Sequence, residues 1–182
     1  DVGSIQPGAT FTVALRITMD ENWHSYWRNP GDSGQETAIE WDLPDGFWEL
    51  FADPRLMPHL HLCLQSGSDR ILLQMRRFYN IPTFMSMVNR IRARYPDFNL
   101  TTDIIVGFPG ETEDDFQKSV KISRETGFSH IHTFKYSVRS GTRAERMAEH
   151  VPEKIKNMRS KIIRSISEEN KRKYRTSLLG ME

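Results

Sequence analysis

The fold is decided by residues 98–112, which read FNLTTDIIVGFPGET. The apolar centre of this stretch, residues 104–106, is typical of a parallel strand that is buried on both faces. A turn follows at residues 107–110, and Thr112 with Asp115 three residues later predicts a helix that begins with a capping box. A buried strand that leads through a short turn into a helix indicates an α/β fold.

The alternation of strands and helices continues on both sides of this stretch. Residues 59–65 alternate strictly in polarity and predict a strand, and helices are expected over residues 70–78 and 82–95. Residues 130–136 predict a third strand, and residues 152–179 predict a long helix. The apolar stripe of that last helix is predicted at Ile155, Met158, Ile162 and Ile166. Such alternation gives parallel strands through right-handed crossovers, so we predict half of a TIM-like (β/α) barrel with its site at the strand ends.

Charge and aromatic residues divide the chain near residue 50. Residues 1–50 carry two basic and nine acidic residues, a net charge of −7, and contain all four tryptophans. Residues 51–182 carry 23 basic and 15 acidic residues, a net charge of +8. Residues 10–17 alternate in polarity and residues 37–41 predict another short strand, so we predict a short, incomplete β-sandwich-like fragment at 1–50, and an α/β region at 51–182. The latter ends in a basic helix, which faces either nucleic-acid phosphates or solvent. No apolar run approaches the roughly 18 residues of a membrane span, so we expect no membrane partner.

The first region resembles a family of redox proteins. Residues 23–34, WHSYWRNPGDSG, are similar to the N-terminal domain of the bacterial transmembrane thiol:disulfide interchange reductases, and this resemblance implies that the fragment at 1–50 is immunoglobulin-like. In that family the domain works outside the inner membrane through a cysteine pair, whereas residues 1–50 contain no cysteine. The resemblance leaves a thiol:disulfide redox-partner binding module as one alternative function.

The α/β region resembles the radical S-adenosylmethionine methylthiotransferases. The similar stretches are LHLCLQSGSD at residues 60–69, MRR at 75–77, TDIIVGFPGET at 102–112 and YSVRSGT at 136–142. Residues 128–136 and 167–172 are most similar to the branch that acts on threonylcarbamoyladenosine in tRNA. The resemblance implies a cytoplasmic transferase that thiomethylates a modified adenosine in tRNA. It also implies S-adenosylmethionine and 4Fe–4S clusters as cofactors of the family.

The same resemblance implies parts that this chain does not contain. The family holds its 4Fe–4S cluster with three thiolates of one loop, and a preceding domain holds a second cluster, but this chain has a single cysteine, Cys63. We expect it to correspond to the C-terminal half of the radical domain, without the N-terminal cluster domains and the C-terminal RNA-binding domain. We therefore expect no catalysis by this chain alone. Because the two resembling families belong to different compartments, we interpret the chain as a chimera.

Four polar residues are candidates for binding S-adenosylmethionine in the pattern of the family: Gln65, Arg77, Asp103 and Ser137. An aspartate accepts hydrogen bonds from ribose hydroxyls, and an arginine binds a carboxylate through two parallel N–H groups. Ser137 would present its backbone to the adenine. The alternative is structural: Arg77 and Asp103 make internal ion pairs, and Gln65 caps a turn.

Two pairs of histidines support a second enzyme class. His59 with His61, and His130 with His132, are spaced so that both imidazoles of a pair lie on one face of a strand. Metal-dependent hydrolases use such pairs, and Asp103 would be a further ligand. We favour polar packing near a barrel mouth over this hydrolase alternative, and we predict no metal ligands.

Overall fold

The computed structural model describes residues 51, 53 and 55–179, so the predicted β-sandwich-like fragment lies outside the described residues. The domain division near residue 50 therefore stays a prediction. The elements follow in the order β1 (His59–His61), α1 (Asp69–Gln74), α2 (Ile81–Arg94), β2 (Asn99–Val106), α3 (Glu113–Thr126), β3 (His130–Lys135), a 3-10 turn (Arg143–Arg146) and α4 (Glu153–Ser177). Within the described range, no helix is both long and apolar enough to cross a bilayer.

The sheet contains three parallel strands in the order β1-β2-β3, which confirms the predicted parallel α/β architecture. The strand predicted over residues 59–65 is shorter, since β1 ends at His61. The reason is the buried hydroxyl of Thr102, which accepts from the Leu64 N–H at 3.0 Å and donates to the Leu62 carbonyl at 2.6 Å. These side-chain bonds replace the regular ladder until Gln65, which forms an isolated parallel bridge to Ile104.

The two faces of β2 have different environments. Leu100, Thr102, Ile104 and Val106 are buried, whereas the residues between them are only half-buried. The buried face packs against a core that includes Phe98, Phe116, Phe128 and Ile163. The prediction of a strand buried on both faces is therefore wrong for Ile105. One face of the sheet remains accessible among the described residues.

The start of α3 forms as its sequence predicts. The Thr112 hydroxyl accepts from the Asp115 N–H at 3.2 Å, and the Asp115 carboxylate accepts from the Thr112 N–H at 3.0 Å. This reciprocal pair satisfies two of the N–H groups that a helix start leaves without partners. It also fixes the point at which the chain leaves the turn after β2.

The apolar stripe predicted for α4 is partly wrong. Met158 is 45% exposed, while Arg159, Ser167 and Asn170 are buried. Ser167 accepts from the Ile131 N–H at 2.8 Å, and the Asn170 amide donates to the Ser123 carbonyl at 2.9 Å. A stripe drawn from apolar residues alone misses a helix face whose polar groups are hydrogen-bonded inside the protein.

Candidate functional site

The half-buried face of the sheet carries a group of polar side chains, which we call the polar face. Side chains alternate between the two sides of a strand, and the register pairs Thr101 with both His61 and His130, and Asp103 with His132. Its members are His59, His61, Cys63, Thr101, Asp103, His130 and His132. Chemical groups that are more than 60 residues apart in the sequence thus lie side by side.

Asp103 lies at the centre of the polar face. Its Oδ1 is 3.3 Å from Nε2 of His61, and its Oδ2 accepts from the Cys63 thiol at 3.6 Å. The Thr101 hydroxyl lies 2.9 Å from Nδ1 of His61 and 3.1 Å from Nε2 of His59. Thr101 therefore orients the His61 imidazole, whose other nitrogen is directed to the Asp103 carboxylate.

The two histidines of β3 extend the polar face. The rings of His130 and His132 are 4.5 Å apart, and those of His61 and His132 are 5.6 Å apart, both edge-to-face. Burial lowers the pKa of His130, and the neighbouring His132 and Lys171 lower it further. His130 is therefore mainly neutral near pH 7. All four predicted histidines lie on one face, as their spacing indicates.

The structure brings together only part of the predicted cofactor-binding set. The Gln65 N–H donates to the Asp103 carbonyl at 2.8 Å, so these two residues are adjacent. Arg77 is half-buried in the turn after α1, where its N–H donates to the Leu72 carbonyl at 2.9 Å. Ser137 is exposed beyond the end of β3, five residues past His132, the register partner of Asp103. Their roles toward S-adenosylmethionine stay predictions.

The alternation over residues 59–65 predicts Cys63 on the same side as His59 and His61, but the sequence identifies neither Cys63 nor Thr101 as a site residue. Asp103 is predicted as a further ligand beside the histidines, but nothing in the sequence indicates its contact with Cys63. The contact depends on the register between two strands about 40 residues apart.

A buried ion pair fixes the turn after β2. The carboxylate of Glu111 accepts from the Gly107 N–H at 2.6 Å and from Nη1 of Arg159, on α4, at 2.7 Å. Burial raises the pKa of Glu111, while the Gly107 N–H and the Arg159 guanidinium limit the rise. The pair thus ties the carboxyl end of the central strand to the last helix.

Comparisons with known proteins assign the chain to a group of enzymes. The family model described as the radical SAM superfamily matches residues 15–122, which are 108 of the 182 residues. A threonylcarbamoyladenosine tRNA methylthiotransferase (MtaB) of Thermotoga maritima is 45% identical over 142 residues, covering 78% of this chain and 33% of that protein.

Two further relatives carry a different name. A tRNA-2-methylthio-N(6)-dimethylallyladenosine synthase of Clavibacter sepedonicus is 54% identical over 99 residues, covering 54% of this chain and 19% of that protein. The synthase of the same name in Burkholderia cenocepacia is 43% identical over 127 residues, covering 70% of this chain and 28% of that protein. The chain thus spans a third or less of the length of these relatives.

Proposed function

We propose a function from the premise that this chain belongs to the radical SAM superfamily, whose model matches more than half of its residues. The chain serves as part of the barrel wall of a tRNA methylthiotransferase, an enzyme that thiomethylates a modified adenosine in tRNA. The observation that carries this proposal is the 45% identity over 142 residues to the Thermotoga maritima methylthiotransferase. The name of that relative also favours threonylcarbamoyladenosine as the modified base. We further propose the cytoplasm as the compartment in which the chain works, because the proposed substrate is tRNA.

The residues of this chain fit the two cofactors of the superfamily unequally. A 4Fe–4S cluster held by three thiolates does not fit, because the chain has one cysteine and its thiol is hydrogen-bonded to Asp103. S-adenosylmethionine fits better, because the Asp103 carboxylate is partly accessible on the polar face and accepts hydrogen bonds. Gln65, adjacent to Asp103, is the second residue of this chain that we propose to bind it. The cluster ligands would have to come from another polypeptide segment.

The outer face of α4 supports RNA as the partner. With 3.6 residues per turn, Lys154, Lys161, Arg164, Arg172 and Arg175 share the side of the helix opposite to its buried residues. All five are exposed, and none of them makes an ion pair within residues 55–179. Cations arranged in this way neutralise phosphates and supply affinity without sequence preference. Arg159 does not contribute to this face, since its charge is buried against Glu111.

The proposal is tested by grafting. The matching segment of the Thermotoga maritima relative is replaced by the corresponding segment of this chain, and the hybrid is expressed in a bacterium that lacks its own enzyme. Mass spectrometry of digested tRNA then measures methylthio groups on threonylcarbamoyladenosine. We expect the hybrid to restore the modification, because the segment supplies the sheet, the polar face and the turn after β2.

Two controls make the outcome decisive. A hybrid with Asp103→Ala is expected to lose the modification, whereas one with Lys121→Ala, an exposed residue of α3, is expected to keep it. A stably folded hybrid that leaves tRNA unmodified would contradict the proposed function. Modification of dimethylallyladenosine alone would contradict threonylcarbamoyladenosine as the substrate, but it would still support a tRNA methylthiotransferase.

A further inference from the structure

We propose that His61, Cys63 and Asp103 form a binding site for a zinc ion on the polar face. The three residues offer an imidazole nitrogen, a sulfur and a carboxylate oxygen that all lie within 4.8 Å of one another. This donor set suits a borderline-soft cation such as Zn²⁺ and disfavours the hard cations Mg²⁺ and Ca²⁺, which select oxygen ligands. The inference does not rest on the proposed function, although both use Asp103.

Two contacts between the donor residues have lengths in the range of zinc coordination. In a tetrahedral site, Zn–N and Zn–O bonds of about 2.1 Å put nitrogen and oxygen about 3.4 Å apart, and a Zn–S bond of about 2.3 Å puts sulfur and oxygen about 3.6 Å apart. The observed separations are 3.3 Å for His61 Nε2 to Asp103 Oδ1 and 3.6 Å for Cys63 Sγ to Asp103 Oδ2, so the two contacts use different oxygens of one carboxylate. A tetrahedral site needs one of these oxygens to serve both neighbours, which a rotation of the carboxylate would supply.

A neighbouring hydroxyl prepares the imidazole for a metal. Nδ1 of His61 is hydrogen-bonded to Thr101 at 2.9 Å, and this leaves Nε2 as the nitrogen directed to Asp103. Histidines that bind metals almost always use the second ring nitrogen for such an orienting bond. The Thr101 hydroxyl is also hydrogen-bonded to His59 at 3.1 Å. A second histidine of the sheet therefore helps to hold the hydroxyl that orients His61.

Access and the fourth ligand are both available. The side chains of His61 and Asp103 are 34% and 23% exposed, so an ion reaches them from solvent. Three protein ligands leave one coordination position for water or for a small ligand. The ring of His132 lies 5.6 Å from that of His61. The site therefore belongs to the open type, with an exchangeable fourth ligand.

The test uses the full 182-residue chain, stripped of metal and kept reduced. Zn²⁺ is titrated against a chromophoric chelator, and Co²⁺ serves as the spectroscopic probe. We expect one equivalent of metal, a near-ultraviolet thiolate-to-cobalt band, and the intense visible bands of tetrahedral cobalt. Cys63→Ser should abolish the thiolate band. Loss of a residue that only hydrogen-bonds to a metal ligand weakens binding roughly 10- to 100-fold, and Asp103→Asn should weaken Zn²⁺ binding by more than this, because Asp103 is itself a ligand.

Two variants separate this site from unspecific binding by histidines. Thr101→Val keeps the shape of the side chain and should weaken Zn²⁺ binding by roughly 10- to 100-fold. His150→Ala removes an exposed histidine outside the polar face and should leave the affinity unchanged. Circular dichroism establishes that each variant is folded. The proposal is overturned if folded Cys63→Ser binds Zn²⁺ as tightly as the parent chain, or if the cobalt complex lacks the thiolate band.

Discussion

Replacing Arg159 by methionine tests the buried ion pair that holds the turn after β2. The guanidinium donates to the Glu111 carboxylate at 2.7 Å, to the Glu111 carbonyl at 3.1 Å and to the Glu113 carboxylate at 3.1 Å. Its centre lies 5.2 Å from that of the Phe116 ring. Methionine keeps an apolar stem but has no guanidinium, so the change removes the charge together with its three hydrogen bonds and its cation–π contact with Phe116.

The expected loss of unfolding free energy is about 3–5 kcal/mol, because the Glu111 carboxylate stays buried with its counterion removed. The side chains of Arg159 and Glu111 are 5% and 1% exposed, so solvent cannot replace the missing charge. Glu111→Gln on top of Arg159→Met removes the second charge and leaves an oxygen that accepts the Gly107 N–H. Since a neutral pair costs far less to bury, the double variant should be more stable than Arg159→Met alone.

Urea unfolding followed by circular dichroism measures these differences. Lys173→Met is the matched control, because it removes an ion pair with Glu169 on the same helix whose side chains are 70% and 49% exposed. Its effect should be far below that of Arg159→Met. The account of the buried pair is wrong if Arg159→Met loses no more unfolding free energy than this control. It is also wrong if adding Glu111→Gln lowers the unfolding free energy further.

The pH dependence gives an independent check of the same pair. Burial raises the pKa of Glu111, and loss of Arg159 should raise it further. A carboxyl whose folded pKa lies above its unfolded value destabilises the protein when ionised, so stability rises as the pH falls through the folded pKa. The difference in unfolding free energy between Arg159→Met and the double variant should therefore become smaller as the pH is lowered. A difference that is constant with pH would contradict this.

Three further outcomes are expected. Gly67→Ala should lose about 1–3 kcal/mol in urea unfolding, because the new Cβ would lie 2.5 Å from the Ser119 backbone of α3; an unchanged midpoint would exclude this close packing. Burial raises the pKa of Asp115, but hydrogen bonds from three side chains outweigh it and hold the pKa below its ordinary value. Its stabilisation should be fully present above about pH 3.9 and be lost progressively as the pH falls toward the lowered folded pKa, so the loss of stability that Asp115→Asn causes in urea unfolding should shrink below about pH 3.9; a loss that does not change with pH would contradict this. Neutralising Lys161 and Arg164 together should lower the salt slope of tRNA binding by about 0.7–0.9 for each cation that contacts a phosphate, as measured by filter binding at several salt concentrations; an unchanged slope would remove these two residues from the interface.

The sequence predicts those parts of the fold that depend on neighbours in the chain. The apolar run at residues 104–106 and the pair Thr112 with Asp115 act within a few residues, and β2 and the start of α3 form where they indicate. The predictions from sequence are wrong where a residue that is distant in the chain changes the local structure. The hydroxyl of Thr102 shortens β1 from a position about 40 residues away, and Glu111 draws Arg159 of α4 into the interior from 48 residues away.

For the candidate site too, the sequence predicts what depends on neighbours in the chain and misses what depends on contacts between strands. The alternation along each strand predicts that the histidines of a pair share a face, and they do. Which residues meet across strands depends on the register, which a single strand does not contain. The sequence therefore does not predict the contact of Cys63 with Asp103.

Asp103 connects the two proposals made for the polar face. A carboxylate that binds zinc has its lone pairs directed to the ion, so it is a poorer acceptor for the hydroxyls of a nucleoside. His61 and Cys63 both contact the Asp103 carboxylate, whose side chain is 23% exposed. Zinc and S-adenosylmethionine should consequently compete for this residue rather than bind independently. Such competition requires that both ligands occupy the polar face, whereas independent binding would place S-adenosylmethionine away from Asp103.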